Sequence, residues 1–112
     1  MGRDDEKERL PPSPGFLALQ RKYLDSFPEK MATLRAARAR EDCDTVIALL
    51  HQLAGSSGSY GFPELSRRCL ALEEEIICAK ESLVRAKSML EELLELMQAI
   101  YQQHLDQHGK VP

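Results

Sequence analysis

The chain contains no tryptophan, and aromatic residues make up only 5% of its 112 residues. β-Branched residues are also scarce, whereas Leu, Ala, Glu, Lys and Arg are abundant. Because aromatic and β-branched residues favour strands and the abundant types favour helices, this composition argues against a sheet and predicts an all-α fold. The length suits one hydrophobic core and is too short for two, so we expect a single domain.

Long apolar runs are missing as well, since no segment approaches the roughly 18 apolar residues that span a bilayer. The first 15 residues also lack the apolar segment of a secretory signal. We therefore expect a cytoplasmic protein that makes no membrane contact. Acidic residues (18) outnumber basic residues (15) and the two signs are interspersed, so no basic face is available for nucleic acid.

The chain also has no Cys-x-x-Cys pair. Its three cysteines fall in or beside helical patterns, so we expect reduced residues of the core or its boundary: Cys43, Cys69 and Cys78. His104 and His108 are four residues apart, which is the spacing of metal ligands on one helix face. Two ligands do not complete a site, so a solvated helix end without a metal is expected there.

Prolines and glycines divide the chain. Residues 1–15 end in Pro-Pro-Ser-Pro-Gly, which predicts a flexible tail or linker before a folded domain at 16–108, with a C-terminal tail at 109–112. Pro28 removes a backbone donor and disfavours helix at the residue before it, so a break near Phe27 is expected.

Apolar periodicity and cap residues predict five helical segments. They run from Phe16 to near Phe27, from there to about Arg40, from an N-cap at Asp42 through His51, from Pro63 to Ala79 or Lys80, and from near Ser82 towards Leu105. Short connections make successive helices antiparallel, so the predicted architecture is an up-and-down antiparallel four-helix bundle with an additional N-terminal helix. No long heptad seam demands a partner, and we expect a monomer.

His51 is predicted to lie outside the apolar face of its helix. That face comprises Val46, Leu49, Leu50, Leu53 and Ser57. The helical neighbours of His51 are Ile47, Ala54, Gly55, Gly58 and, if the helix extends that far, Phe62. Glycine in a helix interior costs about 1 kcal/mol relative to alanine, so the pair of glycines indicates room for something large. Phosphoryl transfer needs such room, because a nitrogen nucleophile must be approached in line by a phosphorylated partner.

The string His51-Gln52-Leu53-Ala54-Gly55-Ser56-Ser57, followed by Gly61 and by Leu70-Ala71-Leu72-Glu73, resembles the motif of histidine-containing phosphotransfer (HPt) domains. The resemblance extends over roughly residues 16–105. It implies a four-helix bundle that accepts a phosphoryl group on His51 from the aspartate of a response-regulator receiver domain and passes it to another. It further implies no kinase activity and no cofactor of the domain's own, with Mg²⁺ supplied by the receiver. A hybrid sensor histidine kinase is a further expected partner or parent chain.

The resemblance also assigns roles to residues of the predicted helix that begins at Pro63. It implies that Glu73 accepts a hydrogen bond from the imidazole nitrogen that is not phosphorylated and thereby orients the ring. Leu70 and Ile77 flank Glu73 at helical spacing and are expected to join Ile47, Gly55 and Gly58, together with Ala54 and Phe62, in a receiver-docking surface.

Ala54 departs from the family pattern, which usually has a phosphate-contacting lysine three residues after the histidine. Three alternatives follow. Another cation of this chain replaces the lysine, the candidates being Lys22, Arg67 and Arg68; the partner supplies a cation; or the phosphorylated state is short-lived. The departure also motivates an alternative function, a helical adaptor that binds a receiver or kinase without carrying phosphate. Ser56 and Ser57 are expected to pack or to bond back within the helix rather than to act as nucleophiles.

Overall fold

A computed structural model describes residues 13–78 and 84–109. This part of the chain contains no strand and consists of five α-helices followed by a π-helical turn: α1 Pro14–Asp25, α2 Phe27–Ala39, α3 Cys43–Ser59, α4 Pro63–Cys78, α5 Val84–His104 and the turn Leu105–Gly109. The predicted all-α class is therefore confirmed. The predicted helix ends at Ala79 or Lys80 and at Ser82 lie outside the described residues.

The first helix begins earlier than the sequence predicted. Ser13 is its N-cap, and its hydroxyl accepts a hydrogen bond from the Phe16 N–H at 3.1 Å. Pro14 occupies the first helical position, where its missing N–H has no intrahelical partner to lose. The boundary of the predicted tail, residues 1–15, is therefore wrong at Pro14 and Gly15, which are helical, while residues 1–12 lie outside the described part.

The predicted break near Phe27 is confirmed. Ser26 separates α1 from α2, its N–H bonds back to the Tyr23 carbonyl at 3.1 Å, and Phe27 and Pro28 form the first turn of α2. The two helices are therefore one bent element at the start of the bundle.

The turns after α2 and α3 have the same geometry. In each, one residue adopts a left-handed conformation, with φ of 55° at Glu41 and 90° at Gly61. The next N–H then donates back into the helix, from Asp42 to the Ala37 carbonyl at 3.0 Å and from Phe62 at 2.8 Å. Asp42 also caps α3 as predicted, since its carboxylate accepts from the Thr45 N–H at 3.2 Å.

Helices α2 to α5 pack around one apolar core, with α3 against α4, α4 against α5, and α2 against both α3 and α5. α1 continues beside α5. This arrangement confirms the predicted four-helix bundle with an additional N-terminal helix. The largest fully buried side chains are Phe27, Leu34, Leu50, Leu65, Leu72, Leu93, Leu94 and Met97. No described helix combines the length and apolar character needed to cross a bilayer.

The expectation of a solvated helix end is wrong at His104. Its side chain is buried, and its Nε2 lies 2.8 Å from Asp25 Oδ1 of α1. The reason is tertiary, because α1 packs along the end of α5 and covers that face of the helix. His104 thus forms a structural contact between α5 and α1.

The cysteines occupy three environments and form no disulfide. Cys69 is buried in the core and Cys43 is half-buried, in agreement with the prediction, whereas Cys78 is exposed at the end of α4 and lies outside the core. Burial, with a smaller contribution from the nearby charge of Glu73, raises the pKa of the Cys69 thiol to about 12. Cys69 therefore remains a neutral thiol at physiological pH.

Candidate functional site

His51 lies in the middle of α3, on the side facing away from the core. Leu50 and Leu53 are buried on the opposite side of the helix, whereas the side chain of His51 is 75% exposed. Its Nε2 has no hydrogen-bond partner among the described residues. A neutral imidazole with one free nitrogen exposed to solvent is a competent nucleophile near pH 7.

Glu73 approaches the other ring nitrogen from α4. Its Oε2 lies 3.5 Å from His51 Nδ1, a contact slightly longer than a hydrogen bond. The Glu73 side chain is only 17% exposed, and its Oε1 is buried without a hydrogen-bond partner in the described part of the chain. A half-buried carboxylate next to Nδ1 favours a proton on that nitrogen and leaves Nε2 as the acceptor of new bonds.

Gly55 and Gly58 differ in what surrounds them. A Cβ on Gly55 would meet no heavy atom within 4 Å, whereas a Cβ on Gly58 would lie 3.4 Å from the Ser66 Oγ of α4. The close approach of α3 and α4 thus accounts in part for Gly58. Nothing in the described chain requires glycine at Gly55, although glycine in a helix interior is unfavourable.

The structure corrects the docking-surface prediction at Ala54. This residue is only 5% exposed, since it faces α4, and its carbonyl accepts a hydrogen bond from the Ser66 Oγ at 2.7 Å. Helical periodicity placed Ala54 next to His51 but could not show on which flank the neighbouring helix packs. Its side chain is therefore part of the α3–α4 contact and is closed to a partner.

Phe62 also lies away from the His51 face. α3 ends at Ser59 and the left-handed Gly61 turns the chain, so Phe62 does not continue the helical stripe. Its half-buried ring stacks with the Tyr23 ring of α1 at a centroid distance of 6.4 Å. The predicted membership of Phe62 in the docking surface is therefore wrong.

The other predicted docking residues form an apolar surface beside His51. On α4, Leu70 is 51% and Ile77 48% exposed, one turn before and one turn after Glu73. Ile47 is half-buried one turn before His51 on α3. With Gly55 and Gly58, these residues define an exposed patch, here called the His51 face.

None of the three cations suggested by the sequence contacts His51 in the described structure. Arg67 and Arg68 both bond the Glu64 carboxylate, and Arg68 Nε donates to Glu64 Oε2 at 2.9 Å. The hydrogen bond from Arg68 and the charge of Arg67 lower the Glu64 pKa. Lys22 is exposed on α1. The next residue, Tyr23, contacts Ser56 on the side of α3 that faces away from Glu73.

Sequence reasoning missed the support that α1 gives to the His51 helix. The Tyr23 hydroxyl shares a hydrogen bond with Ser56 Oγ at 2.8 Å, and its ring stacks on Tyr60 with centroids 4.6 Å apart. Burial raises the pKa of Tyr23. The signal was present, because Tyr23 belongs to the apolar stripe of α1, but its partner on α3 depends on the tertiary fold.

The two serines after Gly55 are structural. Ser57 is fully buried and its hydroxyl donates to the Ala54 carbonyl at 3.4 Å, while the Ser56 hydroxyl donates to the Leu53 carbonyl at 3.3 Å. The prediction that they pack or bond back within the helix is confirmed. No cluster of three or more potential metal ligands occurs among the residues that the structure describes.

Comparison with known proteins gives one match. A family model described as the Hpt domain matches residues 18–104, which is most of the chain and includes every residue of the His51 face. No curated protein and no solved structure matched the chain.

Proposed function

The chain belongs to the Hpt domain family, and from this premise we propose that His51 accepts a phosphoryl group from a receiver-domain aspartate and passes it to the aspartate of another receiver. Family membership itself implies a phosphocarrier role in a phosphorelay and not a kinase activity. The assignment of the transfer to His51, and its direction from aspartate to histidine to aspartate, is the proposal.

One observation supports the proposal above the others: the exposed imidazole of His51 lies beside a glycine that the fold does not need. The open space at Gly55 and the free Nε2 together admit an in-line approach by a phosphorylated partner. A helix that only had to pack in a bundle would gain about 1 kcal/mol from alanine at this position.

The proposed transfer uses two atoms of the ring. The Nε2 lone pair attacks phosphorus in line, the P–O bond to the receiver aspartate breaks, and the aspartate leaves as a carboxylate. Nδ1 keeps its proton, and Glu73 Oε2, 3.5 Å away, accepts a hydrogen bond from it as the ring becomes cationic. The return step reverses these bonds on a second receiver. We propose that Mg²⁺ bound to the receiver lowers the charge on the phosphoryl oxygens.

The His51 face is the proposed docking surface for receivers. Leu70 and Ile77 present exposed apolar side chains on α4, and Ile47 is a half-buried apolar residue on α3. Gly55 and Gly58 have no side chain that would obstruct a partner. Protein interfaces have a core that is more apolar than their rim, and exposed apolar side chains such as these are suited to form that core. We further propose that the domain works as a cytoplasmic monomer, and that a hybrid sensor histidine kinase supplies one of the receivers.

The test is phosphoryl labelling from a phosphorylated receiver. We expect the wild-type domain to gain an acid-labile, alkali-stable phosphate and the His51→Gln variant to gain none. That variant keeps His108, which serves as an internal control for nonspecific labelling of histidine, whereas His104 is buried. Equal labelling of both proteins would exclude His51 as the acceptor.

A second candidate function rests on a separate observation. Ala54 is buried and no cation of the described chain contacts His51, so the described residues provide no counter-charge for the phosphorylated state. An adaptor on the same scaffold would bind a receiver or kinase without carrying phosphate. It predicts receiver binding that survives His51→Ala, with no phosphohistidine at any time in the wild type.

A further inference from the structure

A cleft of about 290 Å³ lies between the bent N-terminal element, α1 and α2, and the helix α3. Its polar lining consists of Tyr23 from α1, Lys30 from α2, and Gln52 and Ser56 from α3. Helical periodicity places the α3 residues of the cleft about 100–160° around the helix axis from His51. The cleft and the His51 face are therefore on different sides of the same helix.

Lys30 is held at the cleft by neutral groups. Its side chain is half-buried, its Nζ lies 5.3 Å from the centroid of the Tyr23 ring, and Nζ donates a hydrogen bond to Ser26 Oγ at 2.6 Å. The Ser26 hydroxyl in turn donates to the Tyr23 carbonyl at 2.6 Å, so its oxygen is the acceptor for the lysine. The contact with the aromatic ring and the hydrogen bond together keep the ammonium group in a defined position.

The ammonium group of Lys30 has no counter-charge in the cleft. Among the residues that the structure describes, none forms an ion pair with it, and no acidic residue lines the cleft. An ammonium group has three N–H donors, and the hydrogen bond to Ser26 uses one of them. Two donors and the positive charge are therefore available to an anion.

The rest of the cleft is apolar. Its walls are formed by Leu34 of α2 and by Leu49 and Leu53 of α3. Leu34 and Leu53 belong to the core, whereas Leu49 is only partly buried and leaves apolar surface open to solvent. Sites for small molecules typically combine apolar walls with a few polar groups and have volumes from about 300 Å³ upwards. The cleft has this composition and is close to this size.

We propose that the cleft binds a small organic anion that has a carboxylate at one end and an apolar body about the size of an aromatic ring. The carboxylate accepts hydrogen bonds from the Lys30 ammonium group, and the body covers the leucine walls. An inorganic anion fits less well, because it has no apolar part. The ligand contacts α1, α2 and α3 together, so its binding stabilises the attachment of the N-terminal element to α3. The proposal does not depend on phosphorylation of His51.

Three probes separate the effect of charge from that of shape in the wild-type domain. Benzoate has the carboxylate and the ring, benzamide has nearly the same shape without the charge, and acetate has the charge without the ring. Each is titrated at constant ionic strength into the ¹⁵N-labelled domain, and the amide chemical shifts give both the site and the dissociation constant.

We expect benzoate to shift the amide signals of residues that line the cleft. It should bind at least about tenfold more tightly than benzamide, which lacks the charge, and than acetate, which lacks the apolar area. The inference is overturned if benzoate gives no saturable shifts, if the shifts are centred outside the cleft, or if benzoate and benzamide bind equally.

Lys30→Met tests the ammonium group, since methionine keeps an unbranched apolar side chain. We expect this variant to bind benzoate at least about tenfold more weakly than the wild type, while its affinity for benzamide changes by less than about twofold. Lys22→Met is the matched control, because Lys22 is an exposed lysine of α1 that does not line the cleft. Its affinity for benzoate should stay within about twofold of that of the wild type.

An unchanged affinity for benzoate in Lys30→Met, or an equal loss in Lys22→Met, would show that Lys30 does not hold the anion. If Lys30→Met loses affinity for benzoate and benzamide alike because the cleft has closed, the comparison of the two probes in the wild type still decides.

Discussion

At the scale of single residues, the site depends on the pairing of an exposed imidazole with a half-buried carboxylate. The imidazole of His51 is exposed and accessible to a partner. Glu73 lies between α3 and α4, with one carboxylate oxygen directed at Nδ1 and the other buried. A buried carboxylate oxygen without a partner is unfavourable. Its retention next to the nucleophile is explained if the carboxylate has a chemical task, which is to fix the imidazole tautomer.

The role of Glu73 can be separated into orientation and charge. Glu73→Gln keeps a carbonyl oxygen that can accept from Nδ1–H, whereas Glu73→Ala removes the acceptor. We therefore expect Glu73→Ala to lower the rate of phosphoryl transfer to His51 by about tenfold to a hundredfold, because misplacing a reacting group costs up to about that much, and Glu73→Gln to keep most of it. Rapid-quench labelling measures both rates.

Glu74→Ala is the control for this pair, because Glu74 is the exposed neighbour on the same helix. Its transfer rate should equal that of the wild type. A rate for Glu73→Ala that matches the control would show that the carboxylate has no part in orienting the ring.

Gly55 is where stability and function are expected to conflict. Since the Cβ of an alanine would meet nothing within 4 Å, Gly55→Ala should raise the free energy of unfolding by up to about 1 kcal/mol, as measured by urea denaturation. The same methyl group narrows the approach to His51, so transfer from a receiver should slow.

Gly58→Ala provides the comparison, because its Cβ would lie 3.4 Å from Ser66 Oγ and the two helices would have to adjust. Its gain in stability should be smaller than that of Gly55→Ala. A Gly55→Ala variant that is less stable than the wild type would contradict the claim that the fold does not need this glycine.

At the scale of helices and turns, local chemistry determines where each element begins and ends. The left-handed residue after α2 is Glu41, and the equivalent residue after α3 is Gly61. A side chain is disfavoured at positive φ. Glu41→Gly should therefore raise the free energy of unfolding by up to about 1 kcal/mol, and Gly61→Ala should lower it by about the same amount.

The two variants are controls for each other, since one removes the side chain of the left-handed residue and the other adds a Cβ to it, in the same type of turn. Thermal unfolding followed by circular dichroism would show a higher midpoint for Glu41→Gly and a lower one for Gly61→Ala. In Gly61→Ala the added methyl would also lie 3.3 Å from the Gln20 amide nitrogen, which donates to the Tyr60 carbonyl. Midpoints that move in the same direction would disprove the account of these turns.

What could be predicted from the sequence was mainly local. The break at Ser26, the Asp42 cap and the outward position of His51 follow from proline geometry, side-chain hydrogen bonding and helical periodicity. Ala54 and Phe62 could not be placed in the same way. Which flank of α3 is covered by α4, and where the chain turns after Ser59, depend on contacts between residues that are distant in sequence.

At the scale of the whole molecule, α1 connects both ends of the bundle. Its Tyr23 contacts Ser56 on the His51 helix, and its last residue, Asp25, contacts the buried His104 at the end of α5. The burial of His104 could not be predicted, because the apolar stripe of α5 alone does not show that α1 packs there. The N-terminal helix is therefore an integral part of the fold.

Removing the Asp25 carboxylate tests this connection. Asp25→Ala takes an acceptor away from a buried imidazole, so we expect the free energy of unfolding to fall by about 1–2 kcal/mol in urea denaturation at pH 7. Asp106→Ala is the control, since it removes an exposed carboxylate that bonds only the surface residue Gln102 in the described structure. The control should change stability by less than about 0.5 kcal/mol.

Unchanged stability in Asp25→Ala would mean that the contact between α1 and α5 contributes little. In that case, Tyr23 and its aromatic neighbours would be the main attachment of α1 to the bundle.

The central claim is that His51 is a true intermediate between two aspartates. The most direct measurement is a chase: the domain is labelled on His51, freed of its donor and mixed in a rapid-quench apparatus with an excess of unlabelled receiver and Mg²⁺. We predict that label leaves the histidine and arrives on the receiver aspartate with the same rate constant and without release of inorganic phosphate. Label that stays on His51, or that appears only as inorganic phosphate, would contradict the phosphocarrier function.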